Sequence, residues 1–194
     1  RLLRSMGIPE GAWYVCFHAR DTAYLRDRIP TRDMSHTDVR NASIEHCFEA
    51  MKFVASQGGY AIRMGSAVNG PIPNLGSSKI IDYASNYRED FGDIYLLANC
   101  RFFVASGGGL TQVAYAFNVP VVNTNVLCIG AVAPYGKKDL FLSKPIWSRP
   151  LGRFLRLPEI LGSEACFSTL RDYFDEAQLE VGESSSEDIL GVTR

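Results

Sequence analysis

Between Trp13 and Asn125 the chain alternates short apolar runs with amphipathic stretches, and this alternation limits its folding more than any other feature. WYVCFHARD (13–21) is an aromatic and β-branched run that ends in polar groups, which predicts a buried strand. Residues 22–40 are polar, contain Pro30 and read as a loop. Asn41 or Ser43 caps a helix reaching about Gln57, with Ile44, Cys47, Phe48, Met51 and Val54 on one face, and Gly58 and Gly59 end it. YAIRMGS (60–66), KIIDYAS (79–85), RFFVAS (101–106) and PVVNTN (120–125) are four further strands. Helices at 90–99 and 110–118 separate the last three. Strands alternating with helices in this way predict an α/β, Rossmann-like parallel sheet with helices on both faces.

After Asn125 the pattern weakens. Residues 126–162 are rich in Pro, Gly and basic side chains and read as a long connection with short helices. Phe167 to Ala177 reads as a helix, Leu179 to Val181 as a short strand, and Ser184 with Glu187 as a capping box. The expected organisation is one domain over 1–194, with a core at 13–145 and a C-terminal helical extension at 146–194. The first residue is Arg1 and the last residues resemble a helix just starting, which suggests a piece of a longer two-domain protein.

Some classes of function drop out early. A net charge of −1 provides no field for nucleic acid, so any anion must be held by local groups. The five cysteines are widely spaced without a CxxC pair, which fits buried thiols better than a disulfide scaffold or a zinc knuckle and points to a cytoplasmic setting. No apolar run has transmembrane length; the expected location is cytoplasmic, at most peripheral to a membrane.

In an open parallel sheet, ligands bind beyond the carboxyl ends of the strands. The residues just past each apolar run are therefore the candidates: His18, Arg20 and Asp21; Arg63, Gly65 and Ser66; Asp82; Ser106 to Thr111; and Asn123 and Asn125. Ser106, Gly107, Gly108, Gly109, Leu110 and Thr111 form the most specific feature, a glycine turn from strand into helix. Glycines let the backbone approach a ligand, and the helix start offers unpaired N–H groups to phosphate oxygens. It is not a Walker turn, since no lysine follows, and it lacks GxGxxG spacing. The Arg20 guanidinium can meet two phosphate oxygens at once; the alternative is a surface ion pair, and Arg63 has the same two options. His18 could donate to phosphate or sugar, act as a base, or be structural. Asp21 and Asp82 could each be a base, a ribose ligand or a cap. His46 is expected on a solvent-facing helix position. No carboxylate cluster for a metal is visible on this edge.

The runs YVCFHARD, VRNASIEHCFEAMKFVASQGGYAIRMGS, IIDYAS, DFGDIYLLANCRFFVASGGGLTQVAYAFNVPVV and KKDLFLSKP together resemble a bacterial glycosyltransferase family linked to surface polysaccharide synthesis. The resemblance covers residues 13–145 and, more faintly, the rest. It implies a GT-B enzyme, in which two Rossmann-like domains face each other across a cleft and the C-terminal one holds the donor. This chain would be that C-terminal half, and the acceptor domain would precede it. A more distant similarity is to α1,6- and peptide-O-fucosyltransferases, whose His-x-Arg-Arg-x-Asp motif grips the donor diphosphate through an arginine. His18 and Arg20 match its first two fixed positions, whereas Asp21 and Ala23 depart from it, which speaks against a GDP-fucose donor. Many retaining GT-B enzymes carry a ribose-holding Glu after the glycine turn. Gln112 and Asn118 are the polar residues here, which favours an inverting, metal-independent reaction.

The expected function is transfer of a sugar from a GDP- or UDP-linked donor to a hydroxyl of a glycan or lipid-linked acceptor, without any cofactor. Arg20, Asp21 and His18 are the expected catalytic residues. Arg20, Arg63, Gly65, Asp82 and the turn from Ser106 to Thr111 are the expected donor ligands. The alternatives are a nucleotide-sugar epimerase of similar architecture, or a non-catalytic nucleotide-sugar-binding domain.

Overall fold

The computed structural model describes residues 1–131 and 136–194. After a short helix α1 (Leu2–Ser5), strand β1 (Tyr14–His18) has its first four residues buried. Tyr14 and Cys16 pack into one apolar cluster, and Val15 and Phe17 into another. A strand covered on both faces needs apolar side chains in succession, which is why this segment reads as a continuous run. Helix α2 (Ala23–Arg28) and a 3-10 turn (Ser35–Arg40) occupy the stretch expected to be loop. A second 3-10 turn (Ile44–Cys47), capped by the Ser43 hydroxyl accepting from the Glu45 amide, leads into helix α3 (Phe48–Ser56).

Strands β2 (Tyr60–Arg63) and β3 (Ile80–Asp82) follow. The third strand is shorter than expected: the Asp82 carboxylate accepts from the Ser85 amide and starts helix α4 (Tyr83–Asn86). Then come α5 (Asp90–Asn99), β4 (Phe103–Ala105), α6 (Gly109–Ala116) and β5 (Val121–Val126). A sixth strand, β6 (Leu140–Ser143), lies in what was expected to be a connection. All six pair in parallel, in the order β3-β2-β1-β4-β5-β6. The sequence therefore winds outward from β1 in both directions, and the order reverses between β1 and β4. Helices α5 and α6 cover one face, through Leu96, Leu97 and Ala114. Helix α3 covers the other, through Ala50, Met51 and Val54.

Residues 146–194 were expected to be a helical extension with one short strand at Leu179–Val181; that strand forms, and it belongs to a small antiparallel sheet. Its strands β7 (Ile146–Ser148), β8 (Arg153–Phe154) and β9 (Leu179–Val181) pair in the order β8-β7-β9. Helices α7 (Leu157–Leu161) and α8 (Arg171–Glu176) pack with it around Leu127, Ile146, Ile160, Ala165 and Phe174. The helix expected from Phe167 begins only at Arg171. The final helix α9 (Ser186–Thr193) is capped by Ser185 and Asp188, one residue later than the expected box, because Ser184 is buried and its amide donates to Asn125 Oδ1 at 2.7 Å. Within the long connection, residues 132–135 lie outside the described residues.

Candidate functional site

The reversal of strand order between β1 and β4 leaves a crevice beyond their carboxyl ends, where doubly wound sheets take their ligands. The two ends are tied together there. The Ser106 amide donates to the His18 carbonyl at 3.1 Å, and the Arg20 amide donates to Ser106 Oγ at 2.7 Å. The glycine turn follows at once. Gly107 has φ of 79° and Gly108 of 107°, conformations that L side chains rarely adopt. The turn swings the chain into α6 with the open N–H groups of its first turn at the crevice.

A cavity of about 500 Å³ opens over this turn. Gly108, Gly109 and Leu110 line it from the turn, His18, Arg20 and Asp21 from beyond β1, Tyr24 and Leu25 from α2, and Ser66 and Ala67 from beyond β2. Asp93 and Arg40 complete it. The structure thus brings Arg20, His18, Asp21 and three turn residues to one place.

Their surroundings differ in ways that matter chemically. The Arg20 guanidinium donates to Asn41 Oδ1 and, at 3.2 Å, to Thr37 Oγ1. Burial, followed by the neighbouring charge of Arg40, holds its pKa below the ordinary guanidinium value, with Asp38 and Asp21 opposing. Two cations side by side repel, and a bound anion relieves that repulsion. Arg40 is the residue that reading the sequence missed. It sits at the end of the 3-10 turn, in a polar stretch with no periodicity to flag it, and only tertiary packing brings it here. Among the described residues its guanidinium has no hydrogen-bond or ion-pair partner.

Burial pushes the His18 pKa down to about 4; Asp21 opposes that shift, and Arg63 and Arg20 add to it. The imidazole is therefore neutral at neutral pH. Asp21 is committed through both oxygens: Oδ1 accepts from the Ala23 amide at 2.9 Å and Oδ2 from the Asn69 amide at 3.1 Å. It starts α2 and pins the loop after β2.

Arg63 and Asp82 form a buried ion pair of 3.1 Å. Arg63 also donates to the Gly70 carbonyl, and Asp82 also accepts from the Ile72 amide, so the pair closes the loop between β2 and β3. Neither lines the cavity over the turn. Gly65 has φ of 155°, and a Cβ there would lie 2.6 Å from Val68 Cγ1, so it shapes the start of the same loop. Thr111 is buried in α6 with its hydroxyl unpartnered among the described residues. His46 has its Nδ1 3.2 Å from a Glu183 carboxylate oxygen and is only about one-third exposed, so it is less open than expected.

A second cavity, of about 230 Å³, lies on the β5 side of the turn and shares Arg40 with the first. Another, of about 520 Å³, lies between residues 38–41 and the α8–β9 segment. It mixes cations with carboxylates and shares no residue of the glycine turn. Among the described residues no three His, Cys, Asp or Glu side chains come together as metal ligands, and no helix is long and apolar enough to cross a membrane. All five cysteines are buried and free.

No family model matches the chain, and no curated protein matches it in sequence. Solved structures do. E. coli ADP-heptose lipopolysaccharide heptosyltransferase II superposes with a TM-score of 0.53 at 15% identity, over 73% of this chain and 41% of that one. E. coli heptosyltransferase WaaC with ADP-2-deoxy-2-fluoro heptose gives 0.44 at 21% identity, over 69% and 38%. The chain thus spans about two fifths of the length of these structures. The likeness to heptosyltransferase II is one of fold: a six-stranded parallel sheet flanked by helices, as in GT-B glycosyltransferase domains.

Proposed function

We infer that the chain binds a nucleoside diphosphate sugar and forms the donor-binding part of an inverting, metal-independent GT-B glycosyltransferase. One observation carries this reading: the glycine turn, the head of α6 and the cations Arg20 and Arg40 surround the strand-order reversal, and among the described residues Arg40 has no ion-pair partner. A pyrophosphate fits such a place, since amide N–H groups and guanidinium forks bind its oxygens together. The likeness of the fold to a structure named as an ADP-heptose heptosyltransferase agrees with it.

In this reading an acceptor hydroxyl attacks the anomeric carbon, the bond from that carbon to the β-phosphate oxygen breaks, and negative charge collects on the departing diphosphate. Arg40 and the α6 amides stabilise that charge most as it forms. Arg20 holds the 3-10 turn through Thr37 and Asn41 and so places Arg40 beside it. Neutral His18 donates a hydrogen bond to the same oxygens. Asp21 keeps its structural amides, so the base that deprotonates the acceptor comes from an acceptor domain outside this chain. The acceptor is a glycan or lipid-linked glycan, and the setting is cytoplasmic.

Calorimetry with ADP, GDP and UDP tests the binding step. At least one should bind, and Arg40→Ala should weaken it about tenfold or more, the loss of a charge-assisted contact. Wild-type affinity in Arg40→Ala, with the fold intact by circular dichroism, would remove Arg40 from the site. Acceptor-dependent release of nucleotide by the protein that contains this chain separates a transferase from an epimerase and from a binding domain.

A further inference from the structure

The second cavity shares its edge with the glycine turn, through Ser106 and Gly107, and shares Arg40 with the first. At about 230 Å³ it is smaller than the roughly 300–1,000 Å³ of a typical small-molecule site, so it suits one ring rather than a nucleoside. Its wall has an unusual feature. The β5–β6 register shifts between Asn123 and Val126, and Asn125 there has φ of 54°. Such irregularities re-aim side chains beside functional sites. Asn123 lines this cavity at 1% exposure, and its Oδ1 has no hydrogen-bond partner among the described residues, while its Nδ2 donates to the Tyr115 hydroxyl. A buried amide oxygen without a donor costs free energy that a ligand hydroxyl can recover. Val126, Leu127 and Ala131 add an apolar surface, and among the described residues no carboxylate lines the cavity.

We propose that this cavity receives the glycosyl group of the donor, and that the group is a neutral sugar. The inference rests on the function inferred above. The pyrophosphate lies across the turn, the nucleoside occupies the larger cavity beside Tyr24 and Leu25, and the sugar ring enters beside Asn123. Arg40, present in both cavities, then lies at the bond that breaks. Asn123 Oδ1 accepts a sugar hydroxyl, and the apolar wall packs against the C–H face of the ring. A uronic acid would bring a carboxylate into a cavity whose described lining offers Arg40 as its one cation.

The test compares nucleoside diphosphates with their sugar-linked forms, using ADP-, GDP- and UDP-linked neutral hexoses and UDP-glucuronic acid as titrants. Thr169→Phe adds bulk at a half-buried loop position of this cavity, and Ala131→Leu adds it at an exposed one; thermal melting checks both folds. Both variants should bind the free diphosphate within about twofold of wild type, while the neutral sugar nucleotide weakens about tenfold or more. Equal weakening of both ligands, or of neither, overturns the assignment and leaves the diphosphate site standing. Wild-type preference for UDP-glucuronic acid overturns the neutral-sugar part. A wild-type chain that binds no nucleoside diphosphate removes the underlying reading and this one with it.

Discussion

Gly108 and Gly109 are neighbours with different reasons to be glycine. Gly108 has φ of 107°, and Gly109 has no positive φ and open space where a Cβ would stand. Gly108→Ala should therefore cost about 1–3 kcal/mol of stability, and Gly109→Ala should lie within about 0.5 kcal/mol of wild type, as measured by urea unfolding. Equal losses would mean that the turn is not held in this conformation. His18 supplies the pH dependence. Its pKa is held near 4 in the folded chain, against an ordinary value of 6.5. Between those values the unfolded chain takes up a proton that the folded chain refuses. Its contribution to stability is thus fully present above pH 6.5 and is lost as pH falls toward 4. The difference in unfolding free energy between wild type and His18→Gln should shrink over that window, and a constant difference would place His18 in water. At this scale the sequence revealed the residues that end apolar runs, because strand ends and ligands coincide in such sheets. It concealed Arg40, which follows no run, and it left Arg63 and Asp82 as separate candidates because their mutual pairing depends on β2 and β3 lying side by side.

That pairing belongs to the scale of elements. The Arg63–Asp82 bridge joins two strands, the start of α4 and both ends of a loop, with side chains 4% and 6% exposed. Removing one partner leaves a buried charge, so Asp82→Ala should cost about 3–5 kcal/mol, and adding Arg63→Met should recover part of it. A denaturant double-mutant cycle with additive losses would show that the two do not interact. Strands β1, β2, β4 and β5 were legible because burial on both faces demands unbroken apolar runs. Strand β6 was not: it pairs at the sheet edge, Leu140 and Phe141 are exposed, and among the described residues no helix lies between it and β5. Strands β7 and β8 are three and two residues long, too short to show a period of two, and Pro150 and Gly152 between them read equally well as loop.

At the scale of the whole molecule, the last helix shares an apolar cluster with the first strand of the sheet. After β9 the chain turns back across the sheet. Glu183 accepts from the Ser43 amide at 2.7 Å, Asn125 accepts from the Ser184 amide, and buried Lys144 donates to the Asn41 carbonyl at 2.6 Å. Asn41 also accepts from Arg20, so Lys144, just after β6, braces the end of the 3-10 turn carrying Arg40, and the return strap holds the neighbouring Ser43. Helix α9 then packs on α3 and adds Ile189, fully buried, to the apolar cluster of Val15, Phe17, Ala50, Met51 and Val54. The small sheet is therefore not an appendage in series after the core, since the segment beyond it completes the core layer beside α3, over β5 and β6. One cooperative unit is the physical consequence. Ile189→Ala, which removes a fully packed side chain, should lower global stability by about 2–5 kcal/mol in a single transition. Hydrogen exchange makes the same claim locally: amides in the middle of α9 should exchange through the global opening that also releases β1 and β4, and Ile189→Ala should speed all three by one common factor. Exchange of α9 alone at a faster rate, with β1 unaffected by the substitution, would mean that the last helix closes over a core already complete without it.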